Sequence, residues 1–170
     1  MKYLVFILKA IDKLSEVVGK TASLAIPVMV LLQFGEVILR YFFGRPTVWT
    51  WEIATHLYGG SFMLAAAWAL KEGKHVRTDF LYGKLSPKRK ALVDLITFST
   101  AFLLFAGFLT YFTTRAAIFS VSIREISFTM TPIVIYPLKV AIAVGFGLLL
   151  LQGLAKITRD IIFLAKGEKV

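Results

Sequence analysis

The sequence contains no cysteine and only two histidines, His56 and His75. Without cysteine the chain cannot form disulfides, iron–sulfur clusters or thiolate zinc sites. The two histidines cannot supply both axial ligands of a haem from within a bilayer, because His75 lies in a polar loop. A cluster of metal-binding residues is also missing. We therefore expect no cofactor.

Acidic residues are scarce as well. The chain has 10 Asp and Glu against 20 Lys and Arg, which gives a net charge of +10. A basic excess can indicate nucleic-acid binding. Here the basic residues stand between apolar runs, as they do on the cytoplasmic side of a membrane protein. We therefore expect no nucleic-acid partner.

The sequence also lacks the usual motifs of catalysis and of autonomous transport. It shows no nucleophile–base pair, no phosphate-binding loop and no pair of catalytic carboxylates. It shows no internal repeat either, although many transporters build a substrate site at the middle of the membrane from inverted repeats. The residues alone predict no enzyme, and four spans without such repeats make a poor carrier by themselves.

Apolar residues are abundant, since 58% of the chain is hydrophobic, compared with about 45–50% in a soluble domain. A helix that crosses the hydrocarbon core needs about 20 mostly apolar residues. The sequence therefore predicts an all-α integral membrane protein with one membrane domain over 1–170. Its four predicted transmembrane helices lie at about 21–41, 53–70, 91–112 and 133–154.

The segment before the first span has the pattern of an amphipathic helix. Its apolar residues at helical spacing are Leu4, Ile7, Leu8, Ile11 and Leu14. We expect Met1–Val18 to lie at the inner membrane interface and to run into the first span. The first apolar run exceeds the roughly 7–15 residues of a signal-peptide core, and no small-residue cleavage site follows. We expect it to be retained.

Basic residues divide unevenly between the two sides of the predicted spans. Fifteen of them stand in the N-terminal stretch, in the loop 71–90 and in the C-terminal tail, and five stand on the other side. An excess of Lys and Arg marks the cytoplasmic loops of membrane proteins. The distribution predicts that both termini and the loop 71–90 are cytoplasmic.

Polar residues near the outer ends of the first two spans are candidates for contact with a partner. Glu36 and Arg40 are four residues apart, so they can pair with each other or with another subunit. Trp49 and Trp51 are typical of the aromatic belt at a membrane surface. Glu52 suits the positive N-terminus of the second helix.

Four further polar residues near the ends of the spans need an explanation. His56 shares a helix face with Glu52 and can serve as a packing residue or as a proton relay. Arg124 and Glu125 can form an exposed ion pair worth less than about 1 kcal/mol. Lys139 lies about a turn and a half into the last span. It can extend to the membrane surface or pair with a carboxylate such as Glu125 or Glu52.

The order of several motifs resembles one known family. Arg40-Tyr-Phe-Phe-Gly-Arg-Pro-Thr-Val-Trp49 is followed by Trp51-Glu52, then by the loop motif containing His75, Val76, Arg77 and Asp79, and then by Glu125-Ile-Ser127. Over about Ile11 to Thr158 the sequence resembles the small membrane subunit, of the DctQ type, of tripartite ATP-independent periplasmic (TRAP) transporters.

This resemblance implies a subunit of a bacterial inner-membrane importer that takes up organic acids with an ion gradient, typically sodium. It implies two partners: a large multi-span permease subunit of the DctM type and a periplasmic substrate-binding protein of the DctP type. The small subunit would scaffold the large one and help to form the docking surface. The resemblance places Trp49, Trp51 and Glu52 near the outer contact region, and His75, Val76, Arg77 and Asp79 in the inner loop.

Two alternatives belong to other functional classes. A membrane anchor of a redox complex would need paired histidines within the membrane, which this sequence lacks. An autonomous four-helix channel or exporter would need a polar stripe at mid-depth through several spans. In the second and third spans, His56 and Asp94 are instead predicted close to opposite ends.

Overall fold

A computed structural model describes residues 2–74, 86–129 and 131–166. Within these ranges the chain is helical, and its only strand-like pairing is an isolated bridge between Ile126 and Val134. A π-helical segment, Phe98–Phe102, joins the α-helix Pro87–Thr97 to the α-helix Leu103–Ser122. The six α-helices of the described ranges are α1 (Lys2–Ser23), α2 (Ala25–Phe42), α3 (Trp49–Lys71), α4 (Pro87–Thr97), α5 (Leu103–Ser122) and α6 (Tyr136–Lys166).

Four helical stretches of the described residues are long and apolar enough to cross a membrane. They are Tyr3–Phe42, Trp49–Lys71, Ser99–Ser122 and Tyr136–Ala165. The prediction of an all-α membrane protein with four spanning helices is thereby confirmed. The inward orientation of both termini stays a prediction.

The first stretch consists of two helices that follow each other almost without interruption. Leu24 separates α1 from α2 in a tight turn, in which its backbone N–H donates to the carbonyl of Thr21 at 3.1 Å. Pro27 is the third residue of α2, where its missing N–H breaks no intrahelical hydrogen bond. Both helices pack against α3, and α1 also contacts α6.

The pair formed by α3 and α6 lies at the centre of the bundle. Helices α1 and α2 pack on α3, whereas α4 and α5 pack on α6. Small residues let membrane helices approach closely, and Gly145 of α6 does so here: a Cβ atom at this position would lie 2.6 Å from the carbonyl oxygen of Met63. Alanine is also frequent among the buried residues, as at Ala54, Ala67, Ala106, Ala117 and Ala155.

The third and fourth spans end later than the stretches expected from hydropathy. The sequence placed the third span at about 91–112, whereas the apolar helical stretch is Ser99–Ser122. Hydroxyl side chains in this part bond to carbonyls of their own helix, as Thr113 does to Leu109 at 2.6 Å. This internal bonding lowers the cost of a polar residue in an apolar medium. Helix α6 likewise continues past 154, to Lys166.

Candidate partner-contact site

One end of the bundle is formed by the C-termini of α2 and α5 and the N-termini of α3 and α6. We call it the tryptophan end, because Trp49 and Trp51 begin α3 there. The opposite end, where α1 meets the C-terminal parts of α3 and α6, is called the α1 end. Polar side chains gather at both ends, and each group is held by contacts between elements.

Glu36 is the most enclosed charged residue of the tryptophan end, with only 7% of its surface exposed. Its carboxylate accepts a hydrogen bond from Nη2 of Arg40 at 2.7 Å. It also accepts one from the backbone N–H of Thr47 at 3.0 Å and another from the hydroxyl of Thr47. Gly44, at a φ of +62°, makes the turn that brings Thr47 back to α2. The pair with Arg40 thus also anchors the α2–α3 connection.

Glu52 and His56 occupy one face of the first turns of α3. The Oε2 atom of Glu52 accepts a hydrogen bond from the hydroxyl of Ser127 at 3.3 Å. The Nδ1 atom of His56 lies 2.7 Å from the backbone carbonyl oxygen of Glu52. Its Nε2 atom is buried and has no hydrogen-bond partner among residues 2–74, 86–129 and 131–166. His56 therefore packs against its own helix, whereas Glu52 reaches the α5–α6 connection.

An ion pair closes the α5–α6 connection. The sequence had allowed Glu125 to pair with either Arg124 or Lys139. Glu125 pairs with Lys139 across 2.5 Å, not with its neighbour Arg124. Arg124 adopts a φ of +48°, while the backbone carbonyl of Glu125 accepts a hydrogen bond from the N–H of Ile135 at 3.0 Å. The Lys139 ammonium beside Glu125 holds the pKa of this carboxyl below its ordinary value, because a hydrogen bond and a positive charge both favour the ionised form.

An open groove of about 590 Å³ lies between these contacts. We call it the tryptophan groove. Its lining residues are Arg40, Pro46, Thr47, Val48, Trp51, Glu52, Phe128 and Thr129. Trp51 is 72% exposed and Phe128 is fully exposed. Exposed aromatic residues beside an arginine are enriched at protein–protein interfaces. Trp49 lies outside this set.

A second polar network at the α1 end was not predicted from the sequence. Gln152 of α6 is 1% exposed; its side chain accepts a hydrogen bond from Ser15 at 3.0 Å and donates one to Asp12 at 2.8 Å. Asp12 also pairs with Arg159 at 2.6 Å. The signal available in the sequence was Gln152 itself, an amide within an otherwise apolar run.

The same end is reinforced by a pair between α1 and α3. Lys71, the last residue of α3, contacts Glu16 of α1 at 2.6 Å, and Lys20 reaches the same carboxylate. The predicted amphipathic helix therefore uses its acidic residues to dock on the bundle. The predicted inner-loop residues His75, Val76, Arg77 and Asp79 lie outside the described residues.

These contacts hold helices and turns in place and leave aromatic surface exposed in the tryptophan groove. Within the parts of the chain that the structure describes, no three His, Asp or Glu side chains come together as a metal site requires. Four spanning helices fixed by polar networks at both ends define a multi-pass α-helical membrane protein.

Residues 29–162 match the family model described as "Tripartite ATP-independent periplasmic transporters, DctQ component". The match covers well over half of the chain, and the chain belongs to this family. It is thus a small membrane subunit of a TRAP transporter, from a family of transporter components and not of enzymes, and the family implies association with the other TRAP components. Comparisons with curated proteins and with solved structures found no match.

Proposed function

We propose that this chain scaffolds the large, multi-span permease subunit of a sodium-coupled importer of organic acids. The observation that supports this role is the broad apolar surface that the bundle leaves uncovered along α2 and α5. On these two helices, the exposed large side chains include Val30, Leu31, Phe34, Leu104, Phe105, Phe108, Ile118 and Phe119. Within a membrane such surfaces face lipid or another membrane subunit.

The tryptophan groove is the proposed contact for the periplasmic substrate-binding protein. Arg40 and Glu52 offer both charge signs in the groove, and Trp51 and Phe128 offer exposed aromatic surface beside them. The contacts of Glu36 with Arg40 and Thr47 fix the backbone of this surface before a partner arrives. A fixed surface loses less conformational entropy on binding.

The proposed orientation in the bacterial inner membrane places both termini and the loop 71–90 in the cytoplasm and the tryptophan end in the periplasm. Because the chain has no cysteine, it is a natural background for single-cysteine labelling. A membrane-impermeant maleimide applied to intact spheroplasts should label Phe128→Cys and not Lys13→Cys. Labelling of Lys13→Cys alone would contradict the orientation.

The scaffold role is tested by co-expression with the large subunit. The two chains should co-purify in mild detergent, and uptake into proteoliposomes should require both chains, the binding protein and an inward sodium gradient. A large subunit that transports at the full rate without this chain would refute the scaffold role. Uptake that a potassium gradient drives equally well would refute sodium coupling.

The docking role is tested separately with the groove variant Trp51→Ala. We expect weaker binding of the periplasmic protein and unchanged co-purification with the large subunit, because Trp51 projects outward from the first turn of α3. The matched control is Trp49→Ala, which removes a tryptophan two residues away that does not line the groove. Equal binding by both variants and the unaltered chain would contradict docking at this groove.

A further inference from the structure

A second groove, separate from the tryptophan end, runs along the membrane-spanning part of the bundle between α2, α3 and α6. Its volume is about 750 Å³. We call it the α2–α3 groove. On α3 it is lined at helical spacing by Tyr58, Ser61, Phe62, Ala65, Ala66 and Ala69. The space exists because Ser61 and the three alanines are too small to fill the gap to Ile26 and Met29 of α2.

The groove is closed at the back and open at the side. Phe146 and Leu149 of α6 line it, and Leu149 is buried. Ile26, Tyr58 and Phe62 stand at the open side, each at least half exposed. An apolar groove that opens laterally from a membrane-spanning helix faces hydrocarbon, and an unfilled void there forfeits dispersion contacts. Its natural occupant is an extended apolar chain.

The length of the groove matches one leaflet of a bilayer. From Tyr58 to Ala69 the α3 backbone rises by about 16 Å, at 1.5 Å per residue. A hydrocarbon core of about 30 Å gives each leaflet about 15 Å. One acyl chain can therefore occupy the groove from the headgroup level to the middle of the membrane.

A cation stands at the end of the groove that reaches the headgroup level. Helix α3 ends with Gly73 in the left-handed region, at a φ of +66°. The N–H of Gly73 donates to Leu70 at 3.1 Å, and that of Lys74 donates to Ala69 at 3.0 Å. This pair of bonds is a Schellman motif, and it folds Lys74 back to the groove, where Lys74 is one of the lining residues.

The neighbouring lysines are already engaged by acidic residues. Lys71 contacts Glu16 and lies 3.8 Å from Glu72, and Lys20 contacts Glu16. Lys74 has no acidic partner among residues 2–74, 86–129 and 131–166. Its ammonium is thus placed to receive an anion at the membrane surface, and basic pockets between membrane helices bind anionic lipid headgroups.

We propose that the α2–α3 groove is a binding site for one anionic phospholipid, with an acyl chain between α2 and α3 and the phosphate on Lys74. The lipid comes from the cytoplasmic leaflet, an assignment that rests on the orientation given under the proposed function. The bound chain completes the packing between α2 and α3 that the small residues leave open.

The test uses the full-length chain, purified in mild detergent, stripped of lipid and titrated with phosphatidylglycerol or phosphatidylcholine. Native mass spectrometry counts the lipids bound to each chain. The unaltered chain should retain one phosphatidylglycerol, about fivefold more tightly than phosphatidylcholine, as expected for one lysine near an anionic headgroup. Equal retention of the two lipids would overturn the headgroup site.

Matched variants separate the charge from the groove. Lys74→Gln should abolish the preference for phosphatidylglycerol, whereas Lys13→Gln, at an exposed lysine outside the groove, should keep it. Ala66→Phe should fill the groove and reduce the binding of both lipids at least tenfold, whereas Ala116→Phe, at an exposed alanine of α5, should not. Unchanged binding by Lys74→Gln or by Ala66→Phe would overturn the proposal.

A further measurement tells whether the groove binds a lipid or a helix of the large subunit. It also separates this proposal from the scaffold role. Co-purification with the large subunit is measured for the same variants. If Ala66→Phe kept its lipid but lost the large subunit, the groove would be a protein contact and the lipid site would be refuted. If the unaltered chain bound the lipid but never the large subunit, the scaffold role would fail and the lipid site would stand.

Discussion

Single residues at the tryptophan end show how the surroundings of a carboxylate decide its role. Glu36 is enclosed and satisfied by Arg40 and by both donors of Thr47, so it organises a turn. Glu125 lies in a connection between helices and depends mainly on Lys139. Glu52 has a weaker contact with Ser127 and lines the tryptophan groove. Of the three, Glu52 is the carboxylate best placed to meet a partner.

Replacement of Glu36 by Ala should lower the thermal unfolding temperature by several degrees and weaken partner binding at the tryptophan groove. The reason is that the N–H of Thr47 and the guanidinium of Arg40 both lose their acceptor, and an unpaired donor in an enclosed site is costly. Thermal unfolding in detergent or nanodiscs measures the effect. Arg45→Ala, at an exposed residue of the same turn, is the control. An equal loss for both variants would contradict the role of Glu36.

Removal of the Glu125 charge should change how stability depends on pH. Since Lys139 lowers the pKa of Glu125 in the folded state, the pair stabilises the fold above the ordinary glutamate pKa of 4.5. This contribution is lost as the pH falls from 4.5 through the lower folded-state value. Unfolding temperatures across this range should fall less steeply for Glu125→Gln than for the unaltered chain. Parallel curves would show that the pair adds no pH-dependent stability.

Among the elements, α1 shows both what a sequence pattern can predict and what it cannot. The spacing of its apolar residues predicted the helix and its continuation into the first span, and the structure has both. Periodicity did not reveal that Asp12 and Ser15 would meet Gln152 of α6, because this contact joins residues 140 and 137 positions apart. Local pattern specifies a helix face, whereas the partner of that face depends on the packing of distant helices.

The boundaries of the spans illustrate the same limit. Hydropathy located four spanning helices because each apolar run is long. It placed the third at about 91–112, whereas the apolar helical stretch is Ser99–Ser122. Thr113, just past the expected end, counts as polar in the sequence although its hydroxyl bonds to a helix carbonyl. At the candidate site, spacing showed that Glu36 and Arg40 can pair, but the contacts of Glu36 with Thr47 and of Glu52 with Ser127 depend on two turns.

The variant Gln152→Leu should loosen α1 from the bundle. The change leaves the hydroxyl of Ser15 without its acceptor and removes a donor from Asp12, and such interhelical contacts in membranes contribute about 1–2 kcal/mol. Faster amide hydrogen exchange in α1, with little change in α5, is the expected result. Gln33→Leu in α2 is the control, because this glutamine lies outside the network. Equal exchange in the two variants would show that the network does not hold α1.

At the scale of the whole molecule, the bundle consists of two halves joined along α3 and α6. Helices α1 and α2 are attached to α3, and helices α4 and α5 to α6. Contacts between the halves also exist at both ends, through Glu52 and Ser127 and through Ser15 and Gln152. Between these ends the halves approach closely where Gly145 meets the backbone of Met63. The relative position of the two proposed partner surfaces, the tryptophan groove and the apolar surface along α2 and α5, therefore depends on this contact.

Substitution of Gly145 by Val should separate the halves, because a Cβ atom at this position would lie 2.6 Å from a backbone oxygen that cannot move aside alone. Overpacking of this kind costs about 1–3 kcal/mol. Gly147→Val is a matched control on the same helix, since a Cβ atom there would meet nothing within 4 Å, while the propensity cost of valine is the same. We expect Gly145→Val to lower both the unfolding temperature and the yield of the complex with the large subunit. Gly147→Val should leave the unfolding temperature near that of the unaltered chain. If both variants lost stability equally, the loss would come from the helix propensity of valine and not from the close approach of α3 to α6. This contact would then not fix the relative position of the two proposed partner surfaces.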